Sequence, residues 1–157
     1  MVFDNGKIVL KLNIRRYLSL LAYLAVIVVL VTSGLFEKPV LGISKTVYII
    51  SATSVYILYI VYAYFMNYNF FSFNDEGDKL VFRFVSLRPF DNEKRAIEIP
   101  KRDFIGFKIE KSFFNLKRDL IITIRTNKGI AKYPSISISA LSEEQMNLLS
   151  HSLSQFS

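Results

Sequence analysis

Acidic side chains are the residues of this chain most able to carry catalysis or bind a metal. Asp75, Glu76 and Asp78 surround Gly77 in one short stretch. Carboxylates in a loop suit calcium, but the 12-residue ligand spacing and the closing glutamate of a calcium loop are absent here. We therefore expect a solvated hairpin turn. The later acids alternate with basic residues, as on solvated strand faces: Asp91, Glu93, Glu98, Asp103 and Glu110.

Other reactive side chains are scarce. The chain has no cysteine and one histidine, His151, which excludes disulfides, thiolate catalysis and zinc–thiolate sites. His151 falls between the apolar positions of a predicted helix, so a surface or rim position is expected. No glycine-rich phosphate loop, no G-x-S-x-G and no histidine–carboxylate pair occurs. The sequence predicts a non-enzymatic protein without a metal or cofactor.

Basic residues occur in pairs, namely Arg15-Arg16, Lys94-Arg95, Lys101-Arg102 and Lys117-Arg118. The first pair adjoins an apolar run, and the others fall in predicted turns, where charge is common. Phe113 and Phe114 beside Lys117 and Arg118 suit contact with a membrane surface or with a groove of a partner protein. At an anionic membrane surface each cation contributes about 1 kcal/mol. The two phenylalanines could equally fold back into a core. The net charge of +7 is spread along the chain, which predicts lipid contact and no nucleic-acid partner.

Two long runs lack charge, Tyr17 to Phe36 (20 residues) and Thr46 to Asn74 (29 residues), and all but eight of the 33 charges follow Asn74. Twenty helical residues span about 30 Å, the thickness of a bilayer core. We predict transmembrane helices at 17–36 and 46–66, after an N-terminal segment 1–16. A cleaved signal peptide is not favoured, because the first run is too long and no A-x-A-like site follows.

The loop between the two predicted spans is short and holds Pro39 and Gly42, so the spans should form an antiparallel hairpin with both chain ends on one side. Four cations precede the first span, and two, Lys38 and Lys45, lie in the loop. The positive-inside rule then places both termini in the cytoplasm. Neither span carries an ionisable acid, lysine, arginine or histidine, which argues against an ion path.

The second span has a polar aromatic face that covers roughly 140° at about 100° per residue. This face either packs on the first span or docks another membrane protein. The second alternative makes Tyr48, Ser51, Tyr56, Tyr59 and Tyr62 candidate partner-binding residues, with Ala52, Val55 and Ala63 beside them.

Beyond Met66 the pattern changes from continuously apolar to alternating, which predicts a β-domain over 67–157 that sits against the bilayer without a linker. The predicted strands are Phe70–Asn74, Lys79–Ser86, Arg95–Pro100, Phe104–Lys111, Asp119–Thr126, Ile130–Pro134 and Ser135–Ser139. Ser142 and Gln145 form a capping box before an apolar helical stripe of Met146, Leu149, Leu153 and Phe156. Six or seven antiparallel strands and a C-terminal helix are expected.

This order of elements, with AIEIPKRDFIGFKIEK (Ala96 to Lys111) and the final helix, resembles the bacterial PH-like membrane proteins. The resemblance covers the chain from Tyr17 onward. It implies a membrane α-helical hairpin and a PH-like roll acting as a binding or assembly module of the inner membrane. The turn Asn74 to Asp78 is acidic where many PH domains have a basic lipid-binding loop, which argues against inositol-lipid recognition.

The expected function is therefore a non-enzymatic accessory or assembly subunit of a bacterial inner-membrane protein complex. Its partners would be membrane lipids and another integral membrane protein. The alternative is a membrane-anchored module that binds anionic lipid headgroups. Arg15, Arg16, Phe113, Phe114, Lys117 and Arg118 are the candidate membrane-surface residues for either function.

Overall fold

The structure, a computed structural model, describes residues 1–34, 39–40, 42–88 and 93–157. The chain divides into two units. Leu10–Phe65 form a helical unit, and Met1–Val9 together with Met66–Ser157 form a β-domain.

The helical unit consists of α1 (Gly6–Thr32), whose first residues belong to the β-domain, and α2 (Lys45–Met66). With 27 and 22 residues they extend about 40 Å and about 33 Å at ~1.5 Å per residue. Only 6% of the apolar window of each helix is buried, unlike the core helix of a soluble domain. Two helices are thus long and apolar enough to cross a membrane, as the sequence predicts.

The two helices contact each other in antiparallel order. The Tyr23 ring stacks on the Tyr56 ring, with centroids 4.4 Å apart and 4° between the planes. Nearer the connection, the Lys45 ammonium donates to the Val31 carbonyl at 2.9 Å. Later residues of α2 therefore lie against earlier residues of α1, which is the predicted hairpin.

The N-terminal segment differs from its predicted form. Residues 1–16 are not a separate segment, because Val2–Asp4 form strand β1 and α1 already begins at Gly6. The helix ends at Thr32, and the predicted last residues of the first span, 35–36, lie outside the described residues. The charged stretch before the apolar run is helical because Lys7, Lys11, Arg15 and Arg16 are good helix formers.

The first sheet has the order β1-β2-β3-β4 and is antiparallel throughout. Strand β2 is Asn69–Asn74, β3 is Lys79–Ser86 and β4 is Lys94–Pro100. The alternation along β2 and β3 buries one face, which carries Phe71, Phe73, Leu80 and Phe82. Phe73 faces Phe82 across the pair, with ring centroids 5.2 Å apart.

The second sheet is built on β6 (Lys117–Thr126), which pairs with β5 (Phe104–Ser112) along one edge. On its other edge β6 pairs with two strands. Strand β7 (Gly129–Lys132) pairs with the second half of β6, and β8 (Ile136–Ser137) pairs with Asp119 and Leu120 near the start of β6. The two sheets contain eight antiparallel strands among the described residues. The prediction of six or seven strands did not include β1.

Helix α3 (Glu143–Ser154) packs on the core formed by both sheets. The predicted capping box is present, since Ser142 Oγ accepts from the Gln145 amide at 3.1 Å and Gln145 Oε1 accepts from the Ser142 amide at 3.2 Å. The predicted stripe is also present, with Met146, Leu149 and Leu153 buried and Phe156 partly buried.

Candidate functional site

The β-domain has one end at which both α1 and β2 begin, here called the helix-proximal end. Asn5 fixes this end, because its side-chain amide donates to the Asn69 carbonyl at 2.9 Å and to the Ala140 carbonyl at 3.3 Å. Asn5 Oδ1 accepts from the Phe71 amide at 2.8 Å. All the hydrogen-bonding groups of this 1%-exposed side chain are satisfied, so the chain leaves the sheet for α1 at a defined point.

A polar cavity of about 160 Å³ lies at the helix-proximal end. Its walls come from the residue after α2, from β2, from the ends of β3 and β4, and from the segment at β8. Eight of the ten lining residues are polar: Asn67, Asn69, Ser86, Arg88, Glu93, Arg95, Ser135 and Ser137, with Phe84 and Ile136. Sequence analysis missed this cavity, although it singled out Arg95 as a member of a basic pair.

The polar groups of the cavity are held by specific contacts. Arg95 donates from Nε and Nη2 to the Glu93 carboxylate, at 3.0 and 2.6 Å. Asn69 Nδ2 donates to the Ser137 carbonyl at 3.2 Å, whereas Asn69 Oδ1, which is buried, accepts no hydrogen bond from the described residues. Because Asn69 is only 6% exposed, its Oδ1 is a buried acceptor in the cavity wall that has no donor among the described residues.

The β5–β6 hairpin ends in an exposed aromatic tip, here called the hairpin tip, formed by Phe113, Phe114, Asn115 and Leu116. Phe113 is 53% exposed and Phe114 94% exposed. The first three residues have positive φ (55°, 56° and 65°), a conformation that costs bulky side chains of order 1–3 kcal/mol each. The alternative that the phenylalanines fold back into a core does not hold for Phe114.

The hairpin tip and the cavity lie towards the same end of β6. Strand β8 pairs with Asp119 and Leu120, next to the tip, and Ser137 of β8 accepts from Asn69 of the cavity. Strand β7 occupies the opposite half of β6. The cavity therefore lies beside β8, which pairs with the first residues of β6 after the hairpin tip.

The cations beside the hairpin tip have carboxylate partners. Lys117 pairs with Asp119 at 3.2 Å. Arg118 pairs with Glu143 of α3 and also contacts Met146 Sδ at 3.6 Å. Arg118 thus attaches α3 to β6, and Lys111 is the nearby cation without an ion-pair partner among the described residues.

The tyrosine face of α2 is divided between the hairpin and the exterior. Tyr56 stacks on Tyr23 and lies 6.4 Å from Tyr59, and the Tyr23 hydroxyl bonds Thr53 at 3.2 Å. Tyr48 donates to the Val40 carbonyl at 3.1 Å. These contacts leave Ser51, Val55 and Tyr62 exposed within the helical unit. Tyr23 and Thr53 were missed because neither stands out in the sequence of its helix.

The first basic pair lies on α1, where Arg15 is exposed and Arg16 half-buried. Lys7 and Lys11 are also exposed, and with Arg15 they recur every four residues. This spacing places the three cations on one face of the helix, here called the cationic stripe.

Asp75 is not the solvated turn residue that was expected. Its side chain is 12% exposed and accepts from the Met1 ammonium and from the Ser152 hydroxyl of α3. Burial by itself raises the pKa of Asp75. The hydrogen bonds from Met1 and Ser152 and the charges of Met1 and Lys101 outweigh burial and hold the pKa below its ordinary value of 3.8.

Among the described residues there is no group of three or more His, Cys, Asp or Glu side chains able to hold a metal ion. A scan against protein-family models, a search of curated proteins and a search of solved structures each found no match. Function is therefore inferred from the geometry of this chain.

Proposed function

We propose that this chain is a non-enzymatic, membrane-anchored module of a bacterial inner membrane. A two-span hairpin with both termini in the cytoplasm holds a PH-like domain at the membrane surface, and the helix-proximal end of that domain binds anionic lipid headgroups. The hairpin tip is the observation that carries this proposal.

The charge distribution supports the orientation. The cationic stripe and Arg16 precede the apolar part of α1, and the connection between the spans carries fewer cations. Cations near the ends of membrane spans concentrate on the cytoplasmic side. The stripe itself adds attraction to an anionic leaflet of about 1 kcal/mol for each residue close to the surface.

The PH-like assignment draws support from the two antiparallel sheets closed by a C-terminal helix. The extra strand β1 is added at the edge of the first sheet, beside β2, and leaves β2, β3 and β4 as a meander in that sheet.

The hairpin tip supports lipid contact in two ways. Phe114 is almost fully exposed in a left-handed backbone, which is costly in water, and its ring meets the Phe113 ring of the same tip with centroids 6.3 Å apart. Most of the Phe114 ring is therefore open to contact with another surface. The tip also lies towards the end of the domain that follows α2 by only two residues, Asn67 and Tyr68.

Hydrogen–deuterium exchange of the full chain in lipid nanodiscs tests the proposal. We expect the amides of Ser112 to Lys117 to exchange more slowly in discs that contain phosphatidylglycerol than in pure phosphatidylcholine. The β6–β7 turn at Thr126–Ile130, at the opposite end of β6, is the internal control and should exchange equally in both. Equal exchange of the hairpin tip in the two lipids would refute the lipid module.

A second candidate is the accessory subunit of an inner-membrane complex, which the exposed part of the tyrosine face favours. Ser51 and Tyr62 remain exposed within the helical unit and are polar, so a partner helix could satisfy them. Tyr56 supports this function less, because Tyr23 already covers part of it.

A mild-detergent pull-down with mass spectrometry separates the two candidates. If the chain is a subunit, stoichiometric partners should co-purify with the parent and be lost from the Ser51→Leu/Tyr62→Leu variant. Leu58→Ile, a change at a 68%-exposed apolar position of α2, is the control. A lone protein in all three samples would eliminate the subunit function.

A further inference from the structure

We propose that Asn5 and Gly6 form a latent deamidation site, which the folded β-domain blocks and which opens when strand β1 leaves the first sheet. The product, aspartate or isoaspartate at position 5, then prevents the junction between β1 and α1 from forming again. Neither step depends on lipid binding.

Asparagine followed by glycine is especially prone to deamidation, because glycine has no side chain to shield its backbone nitrogen or to restrict its backbone. Asn5–Gly6 is the one such dipeptide in the sequence. In the reaction the Gly6 nitrogen loses its proton and bonds to the side-chain amide carbon of Asn5, and the side-chain nitrogen takes up a proton and leaves as ammonia. Water then opens the cyclic imide at either carbonyl, which gives aspartate or isoaspartate.

The folded chain restrains the nucleophile of this reaction. The Gly6 amide donates to Asp4 Oδ1 at 2.8 Å. A carboxylate beside the amide opposes loss of the amide proton, because the nitrogen would become a second negative charge in the same place. The close fit also accounts for the glycine. A Cβ at position 6 would lie 3.1 Å from Asp4 Oδ1, tighter than an ordinary contact, so the carboxylate would have to shift.

The folded chain also restrains the electrophile. The Asn5 side chain donates to the Asn69 and Ala140 carbonyls and accepts from the Phe71 amide. Attack makes the planar amide carbon tetrahedral, which distorts all three hydrogen bonds at once. Asn5 is also 1% exposed, so water has little access to take the proton or to open the imide. Deamidation therefore requires β1 and this junction to open first.

Either product is incompatible with the junction. Aspartate puts an oxygen where Asn5 Nδ2 donates, and that oxygen faces two carbonyls that cannot donate in return. Isoaspartate carries the main chain through the former side chain, which adds one carbon between residues 5 and 6. The Asn5 amide donates to the Phe71 carbonyl, and the Asn5 carbonyl accepts from Ile8 and Val9 at the start of α1. The extra carbon would shift β1 along β2 or pull it away from α1.

Peptide mapping by mass spectrometry tests the protection of Asn5. The purified full chain is kept in detergent at mildly alkaline pH, either folded or unfolded in guanidinium chloride, and conversion at each asparagine is followed with time. We expect Asn5 to convert at least tenfold more slowly in the folded chain, which corresponds to an opening free energy of about 1.4 kcal/mol or more. Equal rates in the two states, or no conversion at Asn5 in the unfolded chain, would overturn the proposal.

Lys128→Gly is the matched control, because it places a glycine after Asn127, which is exposed in the β6–β7 turn. In this variant Asn127 should convert at similar rates in the folded and the unfolded chain, while Asn5 stays protected. If Asn127 were protected as strongly as Asn5, the slow conversion would come from the conditions and not from the hydrogen bonds of Asn5, and the proposal would fall.

Asn5→Asp tests the effect of the product. We expect a lower Tm than that of the parent and faster hydrogen exchange of the β1 amides, because the junction loses its two donors to carbonyls. Asn127→Asp makes the same chemical change at an exposed position and should melt like the parent. An Asn5→Asp variant that also melted like the parent would overturn the proposed effect. If that variant does not fold, the conversion rates of the parent still decide.

Discussion

Asn5 and Asp75 show how single polar side chains join segments that are far apart in the sequence. Asn5 bonds to β2 and to the segment before α3, and Asp75 bonds to Met1 and to Ser152 of α3. Neither role was predictable, because their partners lie 64 to 135 residues away and no local pattern marks them. A buried asparagine and an aspartate in a turn are indistinguishable in sequence from solvated ones.

The low pKa of Asp75 predicts a pH-dependent contribution to stability. Because the pKa is lower in the folded state, this contribution is fully present above the ordinary value of 3.8 and is lost as the pH falls through the lowered pKa. Asp75→Asn should therefore reduce the free energy of unfolding at pH 7 by about 1.5–3 kcal/mol, the range for a hydrogen bond to a charged group.

Thermal unfolding of the full chain in detergent, followed from pH 7 to pH 3, measures this. The difference in Tm between parent and Asp75→Asn should shrink below pH 4. The control is Asp78→Asn, at an exposed carboxylate of the same turn. A difference in Tm that stays constant down to pH 3 would show that the charge of Asp75 does not stabilise the fold.

At the scale of elements, α3 is the part that joins the two sheets. Leu149→Asp or Met146→Asp places a charge in the core, and an unpaired buried charge is costly enough to unfold a small domain. We expect loss of the folded protein for both variants. Leu148→Asp is the matched control, because Leu148 lies on the same helix and is 45% exposed.

Expression level and Tm in detergent report the outcome. Leu148→Asp should accumulate and melt like the parent. If the Met146→Asp and Leu149→Asp variants also melted like the parent, α3 would not be part of the core.

Most elements of the fold follow from local pattern. The two spans, the strands from Phe70 onward and α3 were predictable because hydrophobic periodicity and the capping box are properties of neighbouring residues. Strand β1 was not, since Val2–Asp4 is too short to show a period and pairs with β2 about 70 residues later. The polar cavity was missed for the same reason, because its walls come from four strands.

The same limit applies to the candidate surfaces. Phe113 and Phe114 could be chosen from the sequence because exposed aromatics beside cations are a local pattern. Their exposure, and the pairing of Arg118 with Glu143, depend on how the hairpin and α3 pack. On α2 the sequence left two alternatives, and the stacking of Tyr23 on Tyr56 favours packing within the hairpin for that residue.

At the scale of the whole molecule, the orientation of the chain in the membrane is a prediction that the absence of native cysteine makes simple to test. Single cysteines at Ser44, in the connection between the spans, and at Ser157 should react with an impermeant maleimide from opposite sides of the membrane. In intact spheroplasts Ser44→Cys should label, and Ser157→Cys should label only after lysis. Labelling of both from the same side would refute the two-span hairpin, and the reverse assignment would refute its direction.

Contact of the hairpin tip with the bilayer is the core of the proposed function, and the absence of native tryptophan allows this contact to be measured directly. Phe114→Trp places a single reporter at the tip, and Ile130→Trp places one at a 73%-exposed apolar position at the other end of β6. Each full-length variant is reconstituted in vesicles that contain phosphatidylglycerol, with or without bromine on the upper acyl chain. We predict a blue-shifted emission from the Phe114→Trp variant that brominated lipid quenches, and a water-like, unquenched emission from the Ile130→Trp variant. Equal, unquenched emission from both variants would contradict the account.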